Sequence, residues 1–209
     1  MNYEVRIMND RIKAYARLLI KTGLNLQPGQ TVIVSSPVEC AEFARMCVSA
    51  AYDAGCREVI MNWSDDYITR EKYLRAENDV FDIYHKWNAD FYNTVAQEGA
   101  AWLSIYSEDP EALKGVDPDR IKRAQSVSGK AIEPFRRLQM VNGFPWCIGS
   151  VPSLKWARKV FPDLSDKDAI NSLWEAILTA VRVYDNDDPV AQWEKHIANL
   201  SASEAERFD

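Results

Sequence analysis

Long apolar runs and an excess of positive charge are both missing from this 209-residue sequence. No run approaches the ~20 apolar residues that a membrane-spanning helix requires, so we expect no membrane as a partner. The formal net charge is −6 at pH 7, whereas a general nucleic-acid-binding protein needs a basic face, so we expect no nucleic acid either. Residues 1–6 lack the basic-then-apolar order of a secretory signal. A cytoplasmic location follows as the default.

Residues that form disulfides or bind metals are scarce, with 4 cysteines and 2 histidines. No C-x-x-C pair occurs, and one predicted helix places the Cα atoms of Cys40 and Cys47 ~10 Å apart, beyond the reach of a disulfide. His85 and His196 belong to no H-x-x-x-H or H-x-x-E pattern. We therefore expect reduced, packing cysteines, no metal ligand and no cofactor in this chain.

Glycine is missing where a phosphate-binding loop would need it. The first β-α turn is formed by Ser35, Ser36 and Pro37, which do not let the backbone approach a pyrophosphate closely. A G-x-S-x-G elbow is also missing. Members of a catalytic triad need not be adjacent in sequence, so a serine or cysteine hydrolase stays open as a further interpretation. We assign no catalytic residue.

A complete β-α-β unit is present over residues 31–63. Its strands are predicted at 31–35 and 58–63, and strands joined by a crossover helix lie parallel in one sheet. Two more strands are predicted at 100–106 and 145–150. The sequence therefore predicts an α/β fold, with a mostly parallel sheet of about four strands flanked by helices and a helical C-terminal region.

Helix boundaries are predicted from capping residues and from proline. Ser36 is the candidate N-cap of the crossover helix, and Glu39 completes a capping box. One helix is predicted over residues 79–97. Another is predicted over residues 119–140, and Pro134 should kink or break it.

Two regions are distinguished along the chain. Residues 1–152 are predicted to form an α/β domain. Residues 153–209 follow a helical pattern and are predicted as an extension that packs on the same domain, giving one structural domain overall.

The carboxyl ends of the strands are the candidate binding region. Ligands of open α/β sheets bind outside these ends, near a point where the strand order reverses. The candidate residues there are Ser35, Ser36, Trp63 and Ser64. One hypothesis is therefore a free-standing module that binds a small molecule or a protein partner at this edge.

Several segments point to a family through their order and spacing across nearly the whole chain. They are residues 23–30, 34–39, 50–55, 63–65, 152–162, 173–177 and 188–190, with Val59, Trp193 and His196. Together they resemble the amino-terminal half of the thermophilic-type metalloaminopeptidases, the aminopeptidase T and aminopeptidase S group.

The resemblance implies a cytoplasmic exopeptidase with two divalent metals, such as zinc or cobalt, that polarise the scissile carbonyl and activate a water. Members of the family are about twice this length, are thought to act as dimers and carry their metal ligands in the carboxyl-terminal half. The resemblance thus implies a non-catalytic amino-terminal domain that is inactive by itself. Its implied partners are the carboxyl-terminal catalytic domain, peptides through that domain, and a second copy. Exposed aromatic surface is expected where the catalytic half docks.

Overall fold

The computed structural model describes residues 3–205 except 108, 110 and 186, with side chains over residues 8–200. Its strands are β1 (Thr31–Pro37), β2 (Glu58–Ser64), β3 (Ala101–Tyr106) and β4 (Trp146–Ser150). They form one sheet in the order β2-β1-β3-β4, in which every neighbouring pair is parallel. The predicted fold class is confirmed: the chain has a parallel four-stranded sheet, flanking helices and a helical C-terminal region.

The helices lie between and after the strands. They are α1 (Tyr3–Leu18), α2 (Ala41–Asp53), α3 (Asp66–Arg75), α4 (Lys86–Gln97), α5 (Pro118–Ala131), α6 (Glu133–Met140), α7 (Leu154–Val160), α8 (Asp166–Ala180) and α9 (Pro189–Ala205). A π-helix, Leu19–Gly23, continues α1, and 3-10 turns span Val38–Cys40 and Asn78–Asp82. Within the described residues, no helix combines the length and the apolarity that crossing a bilayer requires.

The predicted capping box at Ser36 is wrong. β1 continues through Pro37, which pairs with Ser64 of β2. Pro37 has φ −60° and ψ 144°, an extended conformation that the proline ring tolerates. A 3-10 turn follows, and α2 begins only at Ala41, without a side-chain cap. Pairing with β2 has overridden the local capping signal.

The single helix predicted over residues 79–97 is also wrong. A 3-10 turn at Asn78–Asp82 and an extended link precede α4. Phe81 in that turn is buried and stacks on Tyr73 of α3, with ring centroids 5.4 Å apart. The buried ring anchors the turn near α3, and the backbone leaves the helical conformation before α4 starts.

The predicted break at Pro134 is confirmed. α5 ends before Ile132, and Pro134 lies in the first turn of α6, where its missing N–H is tolerated. Asn93 of α4 satisfies two backbone groups at the break. Its amide donates to the carbonyl of Ala131 and its oxygen accepts from the N–H of Phe135, each at 3.1 Å.

The larger core lies against one face of the sheet. Helices α1, α2 and α8 contribute to it together with alternate residues of β1 and β3. Its fully buried side chains include Tyr15, Val32, Val34, Cys47 and Leu178. All four cysteines of the chain are free thiols.

The smaller core lies against the opposite face, under α4 and α6, and is mostly aromatic. Trp102 of β3 is at its centre, with its ring centroid 5.0 Å from Phe135 and 5.1 Å from Tyr92. Trp102 pairs in register with Ile33 of β1, in the amino-terminal half of both strands. Further along this face, the side chain of Ile148 is 51% exposed. This face is therefore covered mainly over its amino-terminal half.

Arg11 ties α1 to the C-terminal helical region. Its guanidinium donates to both carboxylate oxygens of Glu175, at 2.7 and 2.8 Å, and to the carbonyl of Val183, at 3.1 and 3.3 Å. A planar guanidinium can hold a carboxylate and a carbonyl at once, which a lysine ammonium cannot match. The same region contributes Leu173 and Leu178 to the larger core.

We predict a loss of stability at alkaline pH that depends on Tyr15. This side chain is 2% exposed and its hydroxyl accepts a hydrogen bond from the backbone N–H of Ser150 at 2.9 Å. Burial raises the pKa of Tyr15 from 10.0 to about 12. Between these values the unfolded chain loses this proton and the folded chain keeps it, so the free energy of unfolding falls as pH rises. The contribution is at most about 1.4 kcal/mol per pH unit.

Urea denaturation from pH 9 to 11 measures this slope. Tyr15→Phe should show a shallower decline than the wild type. Tyr67→Phe is the control, since Tyr67 is exposed and should leave the slope unchanged. Identical slopes in all three proteins would show that Tyr15 is not held neutral by the core.

Candidate functional site

The strand order reverses at β1, because β2 and β3 lie on opposite sides of it. In open α/β sheets this switch point forms a crevice beyond the carboxyl ends of the strands, where ligands bind. A cavity of about 220 Å³ opens at this place. It is lined by Ser35, Ser36, Pro37, Ser64, Asp66, Ser104, Ile105, Tyr106 and Ser107.

Ser35 and Ser36 face opposite sides of the sheet, because successive residues of a strand alternate. Ser36 is 1% exposed, and its hydroxyl donates to the carbonyl of Pro37 at 3.0 Å. Ser35 is partly exposed and accepts a hydrogen bond from Asn62 at 3.2 Å. Of the two, Ser35 is the better placed to contact a ligand.

A polar network runs across the sheet at the level of Ser35. Asn62 and Ser104 are its partners in register on the two neighbouring strands. The amide of Asn62 donates both to Ser35 and to the hydroxyl of Tyr92, each at 3.2 Å. The indole N–H of Trp102 donates to Ser104 at 3.0 Å. These bonds fix the side chains of Ser35, Asn62 and Ser104. They lie on the carboxyl-terminal half of the face that carries the smaller core, beyond the part that α4 and α6 cover.

Trp63 and Ser64 are the last two residues of β2, and their side chains lie on opposite faces of the sheet. Ser64 lies opposite Pro37 and lines the cavity. Trp63 is in register with Ser36, so it belongs to the opposite face, and it does not line the cavity. The structure thus brings three of the four predicted residues together and leaves Trp63 apart.

Sequence reasoning missed the contribution of β3 and of the residues after it. Ser104, Tyr106 and Ser107 line the cavity, as does Asp66 at the start of α3. The signal was present in the alternation of Trp102, Ser104 and Tyr106, which places polar groups on one face towards the carboxyl end of a strand. Recognising it required knowing that β3 lies directly beside β1.

The polar side chains that line the cavity are neutral hydroxyl groups and one carboxylate, which belongs to Asp66. The nearby ammonium of Lys155 is paired with Asp109 at 2.6 Å. Burial raises the pKa of the Cys40 thiol, and its hydrogen bond with Ser107 opposes that effect only in part. The thiol is therefore protonated at neutral pH and is a poor nucleophile. The cavity can bind a small polar group by hydrogen bonds.

The two histidines are engaged with tryptophans. His85 stacks on Trp87 with ring centroids 6.0 Å apart, and His196 meets the edge of Trp193 at 5.6 Å. Over the part of the chain that the structure describes, no three side chains of His, Cys, Asp or Glu converge in a way that could hold a metal ion.

Comparison with known proteins gives a consistent result. The sequence profile of the thermophilic metalloprotease (M29) family matches residues 8–206. Aminopeptidase 2 of Geobacillus stearothermophilus is 41% identical over 187 residues, which are 90% of this chain and 45% of that protein. Aminopeptidase AmpS of Bacillus subtilis is 37% identical over 192 residues, 92% of this chain and 47% of that protein.

A solved structure shows the same fold. The wild-type AmpT from Thermus thermophilus superposes with a TM-score of 0.80 at 31% identity, covering 96% of this chain and 50% of that one. The chain therefore spans about half the length of the curated relatives it matches.

Proposed function

Because this chain belongs to the thermophilic metalloprotease (M29) family, we propose that it is the non-catalytic, amino-terminal half of a metal-dependent aminopeptidase. The observation that carries this proposal is the asymmetry of the match. Aligned residues make up 90% of this chain and 45% of Aminopeptidase 2, and the superposition with AmpT covers 96% of this chain and 50% of that structure. The remaining half of the relatives is called the companion half below.

In this proposal the companion half releases amino-terminal residues from peptides and this chain covers or shapes its site. The family is one of metalloproteases, and a two-metal site needs several carboxylates and imidazoles that converge. The described side chains of this chain do not fit such a site. We therefore assign the two divalent metals, zinc, cobalt or similar, to the companion half, and no step of hydrolysis to residues of this chain.

The apolar stripe of α9 supports docking of a second polypeptide segment. Val190 and Trp193 of this helix pack against the larger core. Ile197 and Leu200 continue the stripe at helical spacing, but both are exposed, Ile197 by 48%. An apolar helix stripe that extends beyond its own core is typical of a surface that another segment covers. We assign that cover to the companion half.

Other parts of the proposal concern organisation and assembly. Residues 1–152 and 153–209 act as one structural domain, which the shared core of α1, α2 and α8 supports. The location is cytoplasmic, peptides reach the chain through the companion half, and two copies associate. The family resemblance implies each of these last three.

A second candidate function is a binding module for a small molecule at the carboxyl ends of the strands. The cavity of about 220 Å³ at the switch point favours it, since its hydroxyl lining suits a ligand the size of an amino acid. A rise in melting temperature with free leucine, lost in Ser104→Val, would favour this function over the first.

We predict that the purified 209-residue chain does not hydrolyse leucine p-nitroanilide in the presence of Zn²⁺ or Co²⁺. The reason is that its described side chains provide no convergent metal ligands. Release of p-nitroaniline, followed by absorbance, is the measurement, and full-length Aminopeptidase 2 is the positive control. Metal-dependent turnover by the chain that survives further purification would contradict the proposal.

We also predict that α9 contributes to binding of the companion half of Aminopeptidase 2. The double substitution Ile197→Asp and Leu200→Asp places two carboxylates in a contact that is otherwise apolar. The dissociation constant should rise by about tenfold or more, since losing even one buried aliphatic side chain exceeds 1.4 kcal/mol. Isothermal titration calorimetry measures it.

A matched control is available on α3, where Ile68 and Leu74 are also exposed. The double substitution Ile68→Asp and Leu74→Asp should leave the affinity unchanged. Equal affinities for the two double variants would remove α9 from the contact.

A further inference from the structure

A second cavity adjoins the one at the switch point, and basic side chains predominate in its lining. It has a volume of about 600 Å³ and lies between α3, the segment after β3 and α7. Asp66 of α3 lines the switch-point cavity, and Arg70, one helical turn later, lines the second one. The second cavity is called the basic cavity below. Its basic lining residues are Arg70, Lys114, Lys155, Arg158 and Lys159.

The acidic side chains of the basic cavity do not balance this positive charge. Among the described lining residues two are acidic, Asp109 and Glu111, against five that are basic. The whole chain has a formal net charge of −6, so the charge of the cavity is opposite to that of the chain. A concave surface with an excess of one charge raises the local concentration of ligands of the other charge.

The two carboxylates are shared among three lysines. Lys155 is paired with Asp109 at 2.6 Å. Glu111 contacts the ammonium groups of Lys159 and Lys114, at 3.3 and 3.5 Å. The positive charge of the lysines is therefore neutralised only in part.

Arg70 is the basic group of the cavity that lacks an acidic partner. Its guanidinium donates to the carbonyl of Ala112 at 2.7 Å, and the residue is half-buried. In the described part of the chain, no carboxylate lies within ion-pair distance of it. A guanidinium has five N–H donors in a planar fork, so the bond to Ala112 leaves most of them available. The hydrogen bond with Asp109 raises the pKa of Lys155, and the positive charge of Arg70 opposes this rise, so the two cations lie near each other.

Helix α7 adds further like charges at close spacing. Lys155, Arg158 and Lys159 are separated by three and four positions, so their side chains share one face of the helix, where like charges repel. Arg158 is paired at 2.7 Å with Asp166, which does not line the cavity. An anion in the cavity relieves the repulsion between Lys155 and Lys159 and supplies the partner that Arg70 lacks.

We propose that the basic cavity binds an oxyanion, a carboxylate or a phosphoryl group, through Arg70 and Lys155. The planar fork of Arg70 matches two oxygens of such a group, and Lys155 uses one of its three N–H donors on Asp109. The volume of about 600 Å³ leaves room for the molecule that carries the oxyanion, either a short acidic peptide or a phosphate compound. Such binding requires neither the companion half nor hydrolysis, so it goes beyond the proposed function.

A ¹H–¹⁵N NMR titration of the 209-residue chain with two probes tests the proposal. The probes are inorganic phosphate and the tripeptide Leu-Glu-Glu. One or both should shift the amides of residues 111–114 and 155–159 along a saturable curve. The shifts should weaken between about 20 and 300 mM NaCl, because salt screens exposed charges. Binding of phosphate alone identifies a phosphate compound as the ligand, and binding of Leu-Glu-Glu alone, without binding of amidated Leu-Gln-Gln, identifies an acidic peptide.

The double substitution Arg70→Gln and Lys155→Gln should raise the dissociation constant by about tenfold or more, because charge-assisted hydrogen bonds are lost. The matched control is Lys72→Gln with Arg75→Gln. It removes two positive charges from α3, but neither residue lines the cavity, so the affinity should be unchanged.

A second double variant, Lys155→Gln with Lys159→Gln, keeps the bond between Arg70 and Ala112. Its side chains are 70% and 55% exposed, so folding should persist, and it should also weaken binding. If Arg70→Gln prevents folding, this variant decides the result. An equal loss of affinity in the control variant would overturn the proposal, because net charge alone would then explain binding. The absence of saturable shifts with both probes, or shifts confined to another surface, would overturn it as well.

Discussion

A parallel sheet is stable when helices cover both of its faces, and this sheet is covered unequally. One face is buried by α1, α2 and α8. On the other face the aromatic cluster around Trp102 covers only the residues near the amino-terminal ends of the strands. At the next level stand Asn62, Ser35, Ser104 and Ile148, which are polar or exposed. The cavity at the switch point and the exposure of Ile148 are both consequences of this incomplete cover.

The incomplete surfaces differ in their chemistry, which is why we assign them different partners. The cavity presents hydroxyl groups, of which Ser35 accepts a hydrogen bond from Asn62 and Ser104 accepts one from Trp102, and it suits only a small polar ligand. The stripe of α9 presents aliphatic side chains without free backbone groups, so a packed protein segment is the natural cover.

Local patterns were sufficient to predict the parallel sheet, its four strands and the break at Pro134. They were insufficient where distant segments meet. Ser36 had every local property of an N-cap, but pairing between Pro37 and Ser64 keeps it in a strand. Phe81 interrupted a predicted helix because its ring is buried against Tyr73 of α3, and helical periodicity does not reveal such a contact between two segments that pack on each other. The candidate site was found only in part for the same reason, since Ser104 joins Ser35 through the strand order rather than the sequence.

The view of this chain as half of an aminopeptidase is tested most directly by complementation. Hydrolysis of leucine p-nitroanilide by the companion half of Aminopeptidase 2, with Zn²⁺ present, is measured with and without this chain. Positioning of a substrate accounts for large factors in rate, so we expect turnover to rise by about tenfold or more when the chain is added in excess. Turnover by the companion half that is the same with and without the chain would contradict this view.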